Sequence, residues 1–265
     1  MSEYQFYQFK TVNRTLTKAE QKIVNTWSSR GNVSATTATF TYNYGDFKQN
    51  TEKCLLDYFD LFLYFADFGV RQMMFRFPKK GVDFDALKQY RYDDGNGRSI
   101  EIREQGDAVL IHLEESLDDG GFEGFVEYEN TLGNIQSLWN DIMQGDYRSL
   151  YLIWLHFATL NLEAENDLDE DADEFELLEA KMPIVPAGFQ QIDDSLNEFM
   201  AFWEISDDLI VSAARLSPAK AAPKTDFQAA IARLSDAEKS KYLLRFAQDE
   251  PFVQSEFLKH LKSLT

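Results

Sequence analysis

The chain holds few side chains of the types that do catalytic or metal chemistry at neutral pH: three histidines, His112, His156 and His260, and one cysteine, Cys54. A zinc site takes three or four nitrogen or sulfur ligands brought together, and these four residues lie far apart in unrelated contexts. His112 alternates with the apolar residues of 109–113, and His156 sits in Trp154-Leu155-His156-Phe157, so both are expected to pack or hydrogen-bond. Cys54 falls in the first turn of an apolar helical stretch. A helix N-terminus can lower a thiol pKa, but a lone thiol in such a stretch is expected to be structural, and being single it excludes an intrachain disulfide. No metal and no cofactor are expected.

Carboxylates are the abundant reactive type. Glu114 with Glu115, and Asp118 with Asp119, offer the paired acids of a glycosidase, yet among 45 Asp and Glu residues such adjacency arises by chance and selects no pair. Asp167-Leu168-Asp169-Glu170-Asp171 opens like a calcium loop, but its sixth position is Ala172 instead of glycine and its twelfth is Leu178 instead of glutamate, which leaves only nonspecific cation attraction. Asp93-Asp94-Gly95-Asn96-Gly97-Arg98-Ser99 lacks phosphate-loop spacing and reads as a turn.

The excess of acid is itself a functional signal. The 265 residues carry 26 Lys and Arg against 45 Asp and Glu, a net charge of −19. Binding to nucleic acid or an anionic membrane needs a basic footprint, so direct binding of either is not expected, and a soluble partner with a basic surface is. Ten acids and no base occupy 163–179; like-charge repulsion predicts a mobile acidic loop over 163–182. The predicted partner-binding set is Glu163, Glu165, Asp167, Asp169, Glu170, Asp171, Asp173 and Glu174, with Phe122, Phe125 and Tyr128 as apolar anchors. Tyr4, Tyr7, Tyr42, Tyr44, Tyr90 and Tyr92 also flank acids and are further candidates for such a face.

The elements positioning these residues read as α+β: a small N-terminal sheet with packed helices, followed by an all-helical C-terminal half. A strand is predicted at 4–9, then a helix opened by the capping box Thr17-Lys18-Ala19-Glu20. One long strand is predicted over 33–44 and one buried helix over 51–68, with Gly69 as its C′ residue. A strand over 71–77 stopped by Pro78, a short helix over 85–90 and a hairpin across Gly106-Asp107 follow. Helices are predicted at 131–143, 147–162, 192–203 and 207–216, the last capped by Ser206.

Residues 217–225, small and Pro-containing, read as a linker between an acidic domain, 1–216, and a helical segment, 226–265. The first part holds 18 basic and 39 acidic residues, a net of −21, and the rest a net of +2. The amphipathic pattern runs to Thr265 without a stopping residue, so the natural chain is expected to continue. No apolar run reaches the length of a bilayer span and the N-terminus has no signal pattern, which predicts a cytoplasmic protein.

Tyr4-Gln5-Phe6-Tyr7-Gln8-Phe9, Arg14-Thr15-Leu16-Thr17, Tyr44-Gly45-Asp46-Phe47-Lys48, Asp57-Tyr58-Phe59-Asp60-Leu61-Phe62-Leu63-Tyr64 and Phe68-Gly69-Val70-Arg71 together resemble the opening of an uncharacterised bacterial family. The resemblance covers most of 1–216 and implies no catalytic residue. In architecture alone, the acidic module and linker are similar to an accessory protein of type III-E CRISPR systems. That protein is cut by the caspase-like protease of the RNA-guided effector, and its N-terminal part restrains an extracytoplasmic-function sigma factor. The expected function is therefore a non-enzymatic interaction or regulatory module for a basic protein partner; a sigma factor and a CRISPR effector protease fit the resemblance. A carboxylate-dependent hydrolase and a DNA-mimic inhibitor are the alternatives.

Overall fold

The computed structural model describes residues 4–117, 130–165, 182–219, 226–248, 250 and 253–264. Its strands are β1 (Gln5–Lys10), β2 (Gly31–Val33), β3 (Thr37–Tyr42), β4 (Leu61–Ala66), β5 (Val70–Pro78), β6 (Tyr92–Asp93), β7 (Arg98–Gln105) and β8 (Ala108–Ser116). They form one eight-stranded sheet in the order β2-β3-β1-β4-β5-β8-β7-β6, and every pair is antiparallel. The architecture is α+β, but the sheet is broad, which corrects the small sheet expected from the sequence.

Two misassigned stretches supply the additional strands. The helix predicted over 51–68 stops early: α2 (Thr51–Tyr58) is capped by Asn50, whose side chain accepts from Lys53 N at 2.7 Å, and Phe59 is already extended at φ −131°. The buried Asp60 carboxylate then accepts from Val12 N at 2.8 Å and from Arg76 Nη1 at 3.1 Å, fixing the chain as it enters β4. Gly69 (φ 98°) lies in the β4–β5 turn rather than ending a helix. The strand predicted over 33–44 is a hairpin, because Ser34 Oγ accepts from Thr36 N at 3.1 Å and Thr37 N at 2.9 Å and turns β2 back onto β3. Gly31 is required beside it, since a Cβ there would lie 2.4 Å from the Phe40 ring.

The capping box forms as the sequence predicts at the start of α1 (Lys18–Asn25), with Glu20 N donating to Thr17 Oγ1 at 3.2 Å and Thr17 N to Glu20 Oε2 at 2.7 Å. α3 (Phe84–Leu87) runs into a 3₁₀ turn, Lys88–Tyr90. After the sheet come α4 (Thr131–Asn134), α5 (Gln136–Met143), α6 (Arg148–Glu165), α7 (Asp194–Trp203) and α8 (Asp207–Leu216). The tail holds α9 (Phe227–Arg233), α10 (Asp236–Ala247) and α11 (Val253–Ser263).

Strand alternation divides the sheet into two faces. Phe6, Leu63, Phe65, Phe75, Ile102 and Ile111 join a core with α4 to α8, centred on Trp139, Tyr151, Phe157 and Trp203. On the opposite face Phe9, Phe40, Phe62 and Met74 pack under Val24, Phe47, Cys54 and Leu55 from α1, α2 and their loops. That second layer reaches Leu110. Beyond it the face presented by β5, β8 and β7 turns polar. Ser217 and Pro218, at the head of the predicted linker, are tied to the body: Ser217 Oγ donates to Pro186 O at 2.7 Å, and Pro218 O accepts from Gly188 N at 3.0 Å. Among the described residues no helix is long and apolar enough to cross a membrane.

Candidate functional site

The polar half of the second sheet face carries the richest surface chemistry. Antiparallel register lines its side chains into rungs: Gln72–Glu114–Ser99, Met74–His112–Glu101 and Arg76–Leu110–Arg103. Arg91, Tyr92 and Asp93 at the β6 edge wall an open groove of about 570 Å³ over the rungs of β7 and β8. Glu52 of α2 approaches from the other side and pairs with Arg103.

Both arginines are committed within the site. Arg103 Nε meets Glu101 Oε1 at 3.0 Å besides pairing with Glu52, and Arg91 Nε donates to the Ile102 carbonyl at 2.8 Å. Glu114 Oε1 accepts from Gln72 Nε2 at 3.0 Å, and its Oε2 lies 3.8 Å from His112 Nε2. That ring nitrogen has no hydrogen-bond partner. Burial pushes the His112 pKa down against the raising effect of Glu114, Glu101 and Glu52, so the imidazole is neutral at neutral pH. The site then holds Glu52, Asp93, Glu101 and Glu114 against Arg91 and Arg103, a net of −2.

A second assembly is buried beneath the helices at the far end of the same strands. Arg71 Nε donates to Glu115 Oε2 at 2.7 Å, its Nη1 to the Phe202 carbonyl at 2.7 Å and its Nη2 to Glu204 Oε2 at 3.3 Å. Arg98 Nε holds the other Glu115 oxygen at 2.9 Å. The Arg71 guanidinium lies 5.7 Å from the Trp203 ring centroid. His156 adds a hydrogen bond with the Trp203 backbone. Cationic and polar donors thus satisfy the C-terminal carbonyls of α7, which helix geometry leaves without internal partners. The network ties β5, β7 and β8 to the helical layer.

Glu114 and Glu115, adjacent in sequence, point to opposite faces, Glu114 to the groove and Glu115 to this buried network. They form no acid–base pair. Cys54 is buried and its thiol pKa is pushed up to about 12, first by burial and then by Asp57, so it carries no thiolate at neutral pH. His260 Nδ1 lies 3.1 Å from the Tyr242 hydroxyl, in the tail. Among the described residues no group of His, Cys, Asp or Glu is arranged to hold a metal ion.

Of the predicted aromatic surface, Tyr7, Tyr42 and Tyr90 are buried in the cores, Tyr4 and Tyr92 are half-buried against them, and Tyr44 is 72% exposed. Glu163 is exposed near the end of α6, and Glu165 is the helix's final residue. Asp167, Asp169, Glu170, Asp171, Asp173, Glu174, Phe122, Phe125 and Tyr128 lie outside the described residues. The groove itself escaped the sequence reading, although the alternation of Leu110, His112 and Glu114 with Val109, Ile111 and Leu113 marks a strand with one polar face. Comparison with protein families, curated proteins and solved structures gives no match.

Proposed function

We propose that the protein is a non-enzymatic binding module of the bacterial cytoplasm that takes a basic segment of a protein partner on the uncovered half of its sheet. The observation that carries the reading is the groove over β7 and β8, where Glu114, its side chain 34% exposed, stands in an acidic setting whose Arg103 is already paired with Glu52 and Glu101. An incoming lysine or arginine can donate to the exposed part of the Glu114 carboxylate. Hydrogen bonds to a charged group contribute about 1.5–3 kcal/mol each. The net of −21 on 1–216 would steer a basic partner from a distance, chiefly raising the association rate and making it salt-sensitive. The acid run following Glu163 adds to that field. An extracytoplasmic-function sigma factor, with its basic DNA-binding surface, has the required chemistry.

Two observations weigh against the alternatives. Between the sheet and α4 to α8 an apolar core surrounds the buried carboxylate Glu115, whose two oxygens are held by Arg71 and Arg98, where a hydrolase would need carboxylates that converge on open space. Glu52 and Glu101 share Arg103, so this face is not the bare row of negative charges that DNA mimicry uses. The test is a pull-down from host lysate at low and high salt, with wild type and Glu101→Lys/Glu114→Lys in parallel. The expected result is a basic protein retained by the wild type at low salt and lost from the variant. Equal recovery on both, or no basic protein on either, overturns the reading.

A further inference from the structure

The tail meets the body across a cleft of about 790 Å³, within the size range of small-molecule sites. The body contributes the loop between β5 and α3 and the turn between α5 and α6; α11 supplies the opposite wall. Although the protein is strongly acidic, the acids of this cleft are spoken for. Asp83 Oδ1 caps α3 by accepting from Ala86 N at 3.1 Å, and Glu256 Oε2 accepts from Arg245 Nη1 at 2.7 Å.

The ammonium groups of Lys80 and Lys259 have no carboxylate partner among the described residues. Lys259 Nζ donates to a backbone carbonyl, that of Lys80, at 3.1 Å. The Lys80 side chain lines the same cleft and makes no hydrogen bond or ion pair among the described residues. Lys262 Nζ reaches Gln144 Oε1 at 3.4 Å. Asn140, Gln144 and Gln254 add amide donors. Met143, Leu258 and Tyr147 give the cleft an apolar wall.

We propose that this cleft binds a phosphate-bearing organic anion of nucleoside-diphosphate size, with its phosphates between Lys80 and Lys259 and its ring against Met143, Leu258 and Tyr147. Lysine ammonium groups are established phosphate partners as point charges, and amide donors complete a phosphate's remaining acceptors. Two walls from different parts of the chain close on one ligand, so binding also holds the tail to the body. The two lysines come together only in the fold, which is why net charge and motif spacing give no sign of the cleft.

The test is calorimetric titration of the full chain with ADP and, separately, with adenosine at low ionic strength. Saturable one-site heat is expected with ADP and none with adenosine. Lys80→Gln/Lys259→Gln should weaken ADP binding about tenfold or more, whereas Lys48→Gln, at an exposed lysine between β3 and α2, should leave it unchanged. Lys80→Gln alone, which leaves the Lys259 contact with the Lys80 carbonyl in place, should weaken ADP binding with the unliganded melting midpoint unchanged. Absence of saturable heat with ADP, equal binding of adenosine, or equal weakening by Lys48→Gln overturns the proposal.

Discussion

His156 sits in the field of Glu115, Arg71 and Arg98, and burial pushes its pKa down to about 4. Its Nε2 has no hydrogen-bond partner, so nothing at that end of the ring rewards protonation. In the unfolded chain a histidine titrates near 6.5. Between the two values the unfolded state binds the proton and the folded state does not, so stability falls as pH drops from about 6.5 towards 4 and this contribution levels off below. Between pH 7 and pH 5 the expected loss is about 2 kcal/mol. Urea unfolding of wild type and His156→Gln at both pH values isolates it, because the other titrating groups are common to the two proteins. The wild type should lose about 2 kcal/mol more than the variant over the interval; parallel losses would remove His156 from the pH response.

At the scale of elements, Asp60 decides where α2 ends and β4 begins. Its carboxylate is almost fully buried and joins the backbone of Val12 to the Arg76 guanidinium. Removing it leaves a half-buried N–H and a half-buried cation without their acceptor, so Asp60→Ala should cost about 3 kcal/mol, and Asp60→Asn, which keeps an acceptor for Val12, should cost less. Denaturant titration of both variants measures the difference, and equal, small losses would show that the carboxylate does not fix this junction. The same junction shows which parts of the fold were legible in the sequence. Local signals survived: Thr17 and Glu20 announce α1, Ser206 caps α8 and Gly106-Asp107 closes the β7–β8 hairpin. β4 was not legible, because all six of its residues are buried. Leu61, Leu63 and Phe65 face one core, and Phe62, Tyr64 and Ala66 the other. A strand covered on both faces loses its period-two pattern and cannot be told from a buried helix. The groove was hidden for a related reason. His112 and Glu114 share one face of β8, and Glu101 joins them only through the pairing of β7 with β8.

Across the whole molecule, stability is unevenly distributed between the body and the tail. The body's sheet is sandwiched by two extensive cores, whereas among the described residues the tail's own cluster consists of Ala230, Leu234 and Leu261 with Phe257 and Leu264 against it. α10 buries no residue, and Leu243 and Leu244 are 67% and 59% exposed. So small an apolar core cannot offset the conformational entropy of ordering three helices, and the tail depends on its contacts with the body, including Lys259 to Lys80 and Lys262 to Gln144. A peptide of residues 226–265 should therefore show no cooperative thermal transition by circular dichroism, while residues 1–219 should retain one. In the full chain, the amides of α10 should exchange with solvent about a hundredfold faster than those of β4. A cooperative melt of the isolated peptide, or protection of α10 equal to that of β4, would show that the tail is stabilised by interactions beyond this small cluster.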